Sequence, residues 1–216
     1  MPETTTRVAD QFEDAQQQHE VATLGMWVFL ATEVLFFGGL FLAYVVYRHA
    51  YYEAFAAGSR HTDLFYGTLN TAVLLTSSLT MALAVHAAQA GETNRIVRWL
   101  LVTVLLALGF LVVKGFEYHK DFVDDLIIGP GFSQQLPARA ELFFWLYWAM
   151  TGLHALHVIV GIGALSGVAL LVARTARGSI EATDVNTVEV AGLYWHFVDL
   201  VWIFLYPLLY LIDRHG

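Results

Sequence analysis

The chain contains no cysteine. That excludes thiolate metal sites, iron–sulfur clusters and disulfides, and it removes any clue to redox compartment. Charge is scarce as well: 14% of the 216 residues are Asp, Glu, Lys or Arg, against about 25% in soluble domains. Cations are the rarer sign, 11 against 19 acids for a formal net charge of −8, and they form no cluster suited to nucleic acid. No nucleophile elbow, phosphate loop or zinc-protease motif occurs, so an active site residing wholly in this chain is not expected. There is no internal repeat and no low-complexity tract.

What the chain has instead is apolar length. Hydrophobic residues make up 57% of it, concentrated in five runs at about 24–47, 64–88, 96–118, 142–173 and 190–212. Each meets the requirement of about 20 apolar residues for a helix that crosses a 30 Å hydrocarbon core. The runs are apolar all round, whereas a soluble bundle needs polar faces at a 3.6-residue period. The fold class expected is therefore all-α, a bundle of five transmembrane helices in one integral membrane domain over residues 23–216. Its helices are expected at about 24–48, 64–90, 95–120, 139–174 and 189–213. The fourth run exceeds what a bilayer needs, so it is expected to tilt or project. Residues 1–22 read as a polar arm; its acids (Glu3, Asp10, Glu13, Asp14, Glu20 against Arg7) lack the basic start of a secretory signal. The loop cations are nearly balanced between the two sides, and only the tight pairs Arg95/Arg98 and Arg174/Arg177 tip the amino terminus toward the cytoplasm.

Polar groups inside these runs are the candidate sites. A charged carboxylate at the bilayer centre costs about 2.5–3.5 kcal/mol on insertion scales, so each such group needs a partner or a task. The last run carries His196 and Asp199 at i and i+3, which can clasp each other or a neighbouring helix. Glu33 is the one ionisable residue of the first span, read as a neutral donor to another helix, a proton-handling group or an ion site. Lys114 and Glu117, also i and i+3, read as an ion pair near the membrane interface at the third helix's end, where the chain is expected to leave the membrane. His154 and His157 lie on one helix; two imidazoles without a third ligand are a weak metal signal, and hydrogen bonds to Asp, Glu or Thr across the bundle are the alternative. A haem would need opposed histidines, for which His86 and His196 are available without a paired pattern. Asn70, Thr71, Thr76, Ser77, Ser78 and Thr80 in the second helix, and Gly152, Gly161, Gly163 and Gly167 in the fourth, read as close-packing positions; Gly38 and Gly39 suggest packing or a kink.

Five ordered stretches resemble subunit III of the haem-copper terminal oxidases: residues 25–37 (GMWVFLATEVLFF), 69–78 (LNTAVLLTSS), Glu117 with Tyr118, 151–161 (TGLHALHVIVG) and 194–199 (YWHFVD). The resemblance spans about residues 24–212 and is to the short bacterial form, which lacks the two amino-terminal helices of the mitochondrial one. It implies a non-catalytic accessory subunit with no catalytic residue, metal or cofactor of its own; haem and copper would lie in partner subunits. The implied partners are the catalytic subunit I, subunit II and phospholipid, with subunit III stabilising subunit I and sustaining proton uptake. Arg174 and Arg177 stand where the family's lipid-headgroup cations do, and Glu33, Glu117, His154, His157, His196 and Asp199 are its intramembrane polar positions. The implied location is a bacterial inner (plasma) membrane, with the amino terminus cytoplasmic and the carboxyl terminus exoplasmic. The long form's lipid cleft involves its extra helices, so the same lipid arrangement does not carry over. Accessory subunits associated with nitric oxide reductases share the likeness. A stand-alone proton-coupled transporter and a dihaem cytochrome are the readings from other classes, and the electron donor, cytochrome c or quinol, is not named by the sequence.

Overall fold

The computed structural model describes residues 14–126, 136–137, 139–175 and 182–212. Six helices account for nearly all of them: α1 (Ala15–Ala50), α2 (Tyr52–His61), α3 (Leu64–Gln89), α4 (Thr93–Val123), α5 (Ala140–Thr175) and α6 (Ala182–Tyr210). No strand occurs among the described residues. Every helix except α2 is long and apolar enough to cross a membrane, so the five-span expectation holds. The helix α5 has 36 residues, about 54 Å at 1.5 Å per residue, nearly twice the hydrocarbon thickness.

Two boundaries differ from the sequence reading. The first helix begins at Ala15 rather than near residue 24, because Asp14 caps it: its carboxylate accepts the Gln17 amide at 2.7 Å. The segment between the first two spans is itself a helix, α2, buried through Ala54, Phe55, Ala56, Gly58 and Ser59.

Helices α3, α4, α5 and α6 form an up-and-down four-helix bundle, and facing residues give its register. Thr80 meets Thr103 across α3 and α4, Tyr118 meets Thr151 across α4 and α5, and Ser78 meets His196 across α3 and α6. The α3–α4 connection is short and turns at Gly91, whose φ of +73° lies in the left-handed region that glycine adopts without strain. Helix α1 runs parallel to α6 and lies against α6 and α5. Phe29, Phe37 and Phe41 contact Tyr194, Phe197 and Phe204 in order. Much of its outer face is left exposed, as at Val28, Leu35 and Leu42. Large apolar side chains exposed around the bundle, with polar ones sequestered inside, are what a hydrocarbon solvent demands.

The carboxyl-terminal end of α6 is held by side chains. A helix leaves its last four carbonyls without intrahelical partners; here Tyr44 donates to the Leu208 carbonyl and Thr62 to that of Leu209. Close approach depends on particular glycines. A Cβ at Gly58 would fall 2.4 Å from the Phe143 ring, one at Gly67 2.8 Å from Tyr210, and one at Gly161 2.6 Å from Trp195. Gly152, Gly163 and Gly167, expected to pack in the same way, have nothing within 4 Å of the place a Cβ would take, and neither do Gly38 and Gly39. Gly39, Gly163 and Gly167 are exposed, and Gly38 and Gly152 half-buried.

Candidate functional site

The third and fourth spans carry the most polar part of the core. Lys114 is 2% exposed and Glu117 not at all, so the pair is sealed between the helices of the bundle. An ammonium has three hydrogens to donate and no acceptor. Lys114 Nζ spends them on Glu117 Oε2 at 3.0 Å, Tyr147 Oη at 3.0 Å and Tyr210 Oη at 2.7 Å. Tyr210 in turn donates to Glu117 Oε1 at 2.5 Å. The Tyr147 hydroxyl reaches both Glu117 Oε1 at 2.8 Å and Asp121 Oδ2 at 3.0 Å, one hydrogen shared between two acceptors. Rings of Tyr118 and Tyr147 lie 4.8 and 4.7 Å from the ammonium, adding cation–π attraction. The i, i+3 pairing is readable from sequence, and Asp121 follows Glu117 by four residues on the same face; Tyr147 and Tyr210 are not readable, since α5 and α6 deliver them from 30 and 93 residues away.

A second pair joins α1 to α5. Glu33 Oε2 lies 3.1 Å from His157 Nε2, with the two side chains 18% and 16% exposed. His157 Nδ1 lies 2.8 Å from the Leu153 carbonyl, which can only accept, so Nδ1 carries a hydrogen. The Glu33–His157 contact then holds one shared proton: either neutral Glu33 donates to bare Nε2, or an imidazolium donates to the carboxylate. Phe37 stacks edge-on against the His157 ring at 5.2 Å, and Tyr194 donates to the His157 carbonyl at 3.0 Å.

The α3–α6 seam is the third polar region. His196 Nδ1 and Ser78 Oγ are 2.9 Å apart, Trp195 donates to Ser77 Oγ at 3.1 Å, and Trp202 donates to Thr71 Oγ1 at 3.0 Å. Interhelical bonds of this kind contribute about 0.6 kcal/mol each on average. Thr76 differs from its neighbours: its hydroxyl bonds back to the Ala72 carbonyl and, among the described residues, to no other helix. His196 and Asp199, adjacent by one turn, do not bond to each other; Ser78 takes His196, and both Asp199 oxygens lack a hydrogen-bond partner among the described residues. His154 differs from His157 in the same way. Three residues apart on a helix, they point to different neighbours: His157 to α1, His154 into the core against Phe110 and Trp202 with both ring nitrogens unpartnered among the described residues. An unsatisfied buried polar group costs about 1–3 kcal/mol.

Among the described residues no group of three or more His, Asp or Glu side chains is arranged to hold a metal ion. Arg174 is exposed near the end of α5, and Arg177 lies outside the described residues.

The arrangement defines a multi-pass helical membrane protein whose core polar contacts tie its helices together. Comparison with known proteins names the class more narrowly. The family model described as cytochrome c oxidase subunit III matches residues 11–213, and the chain belongs to that family. It is 33% identical over 201 residues to cytochrome c oxidase subunit 3 of Thermostichus vulcanus, covering 93% of this chain and 92% of that one. It is 35% identical over 196 residues to cytochrome c oxidase subunit 3 of Alkalihalophilus pseudofirmus, covering 89% and 87%. Quinol oxidase subunit 3 of Bacillus subtilis is 32% identical over 197 residues, covering 89% and 88%.

Proposed function

We propose that the chain acts as the non-catalytic accessory subunit of a haem-copper respiratory oxidase in a bacterial inner membrane, amino terminus cytoplasmic. The observation that carries this reading is the family match across residues 11–213, which takes in all five membrane-length helices rather than one motif. Relatives named for cytochrome c and for quinol oxidases are comparably similar, so the electron donor stays open. Haem and copper belong, in this reading, to the partner subunits I and II. The polar side chains of this chain serve helix packing: the Lys114 cluster ties α4, α5 and α6, and Glu33–His157 ties α1 to α5. The exposed apolar flank of α1 and the outer faces of the bundle are left for the catalytic subunit and for phospholipid. Arg174 and Arg177 attract the lipid phosphate, each near-surface cation contributing about 1 kcal/mol.

The test is deletion of this chain from the native complex. The haem spectrum should be unchanged, while sustained turnover decays faster and bound phospholipid falls. In the same preparation, Arg174→Gln with Arg177→Gln should lose anionic lipid by native mass spectrometry without loss of assembly. A complex that lost its haem signal with the chain, or haem or copper retained by the purified chain alone, would overturn the proposal.

A further inference from the structure

Three side chains in the bundle core share one property. Asn70 on α3, His154 on α5 and Asp199 on α6 are 0%, 1% and 3% exposed, and each keeps both of its side-chain polar atoms without a hydrogen-bond partner among the described residues. They are not scattered. Trp202 brings them into one stretch of the core. Its ring lies 5.2 Å from that of His154, its Nε1 donates to Thr71 beside Asn70, and Asp199 precedes it by one turn on the same helix.

The orphaned atoms are of mixed polarity. Asn70 offers an N–H₂ donor and a carbonyl acceptor, and a neutral imidazole offers one donor and one acceptor. A metal cation could take the oxygens and the bare imidazole nitrogen but would leave the amide and imidazole N–H donors unpaired. Water both donates and accepts, and buried waters characteristically bridge about three otherwise unsatisfied polar groups. In a membrane span no bulk solvent is present to do this.

A pocket opens beside the α3–α6 seam. About 380 Å³ in volume, it lies between α1, α3 and α6 and is lined by His19, Gln89, Glu189 and His196. His196 is therefore at once a wall of this pocket and the partner of Ser78 at 2.9 Å. Asp199 follows His196 by one turn on α6, along the same α3–α6 seam that the Ser78–His196 contact closes. His196 thus links the pocket to the seam that carries Asp199.

We propose that the core between α3, α5 and α6 is a binding site for internal water, held by Asn70, His154 and Asp199 and supplied from the pocket at His196. This goes beyond the accessory role and does not depend on which complex the chain joins.

The experiment is a cryo-EM map of the native complex at a resolution that shows ordered water, together with X-ray radiolytic labelling in ¹⁸O water. Density peaks at hydrogen-bond distance, about 2.7–3.2 Å, from atoms of all three side chains are expected, with ¹⁸O incorporated at His154 and Trp202. Asp199→Leu should remove the peaks at that position and leave those at Asn70. A dry core in the wild-type map, with the three side chains paired directly to protein groups and no label at His154, would overturn the proposal. So would a single peak with oxygen-only coordination that changes on exchanging Na⁺ for K⁺, which would mark a cation. The wild-type map decides the matter even if the variant fails to assemble.

Discussion

The Lys114–Glu117 and Glu33–His157 pairs set a base against a carboxylate within the same bundle, yet they are buried to different degrees. Lys114 and Glu117 are 2% and 0% exposed, and tyrosines from two further helices close around them. Glu33 and His157 are 18% and 16% exposed, near the outer groove where α1 lies on α5 and α6. The difference teaches what each arrangement can tolerate. Removing charge from water costs several kcal/mol per ion, and mutual attraction offsets it only when the remaining donors and acceptors are also satisfied. The Lys114 cluster meets that condition with three bonds to one ammonium. The Glu33 pair needs only one proton between two groups, and it can hold that proton with no net separated charge.

The largest effect should come from breaking the sealed cluster. Lys114→Met leaves Glu117 buried with two tyrosine hydroxyls and no cation, and losing one partner of such a pair costs about 3–5 kcal/mol. Assembly of the complex, followed by native gel and by thermal inactivation, should fall sharply. Lys114→Met with Glu117→Leu should recover part of the loss, because the uncompensated carboxylate goes too. Asp121, Tyr147 and Tyr210 keep that recovery incomplete: Asp121 stays buried beside Tyr147, and Tyr210 loses the carboxylate it donates to. If the single and double variants assembled as well as wild type, the cluster would not be holding α4, α5 and α6 together.

The Glu33 pair should respond less, and selectively. Glu33→Gln keeps a donor for His157 Nε2 and the shape of the side chain. Glu33→Ala leaves that nitrogen without its partner, at a cost of about 1–3 kcal/mol. The expectation is wild-type assembly and turnover for Gln and weakened assembly for Ala. Normal assembly with the same functional defect in both variants would mean that ionisation of Glu33, rather than its bond, is what the protein uses. The contrast with Lys114 would then be one of structure against proton handling.

Much of this architecture is legible in the sequence because hydrocarbon imposes a simple rule. Five apolar runs have to be helices, and they are. The sequence suggests that the third helix leaves the membrane through Glu117 to Asp121, with Lys114 one turn earlier, since charges at a helix end ordinarily face water. These face inward instead, because α5 and α6 bring tyrosines to meet them. The short helix α2 is hidden by its mixed composition: Glu53, Gly58 and Arg60 suggest a linker, and only the docking of Phe55 on Phe143 turns one face inward. The pairing of Glu33 with His157 cannot be read either, with 124 residues between them. His154 and His157 look alike in sequence, and only the placement of α1 and Trp202 separates a paired imidazole from an orphaned one.

The smallest effect belongs to a third pair, which extends the gradient into water. Asp63 caps α3 through the Phe65 amide at 3.0 Å and accepts from Lys120 Nζ at 2.7 Å, with the lysine side chain 51% exposed. Partial burial pushes the Asp63 carboxyl up, but the hydrogen bond and charge of Lys120, with the Tyr66 and Phe65 amides, hold it below its ordinary 3.8. A carboxyl lowered in the folded state stabilises that state above its unfolded value, and the contribution is lost as pH falls below 3.8 through the depressed value. At neutral pH the pair is fully formed, but solvent screening limits an exposed pair to about 0–1 kcal/mol. Asp63→Asn retains the helix cap and removes only the charge. Its thermal stability at pH 7 should therefore lie within about 1 kcal/mol of wild type, a difference that narrows at high salt and vanishes at strongly acidic pH. A loss at pH 7 as large as that of Lys114→Met would show that exposure does not rank these three pairs.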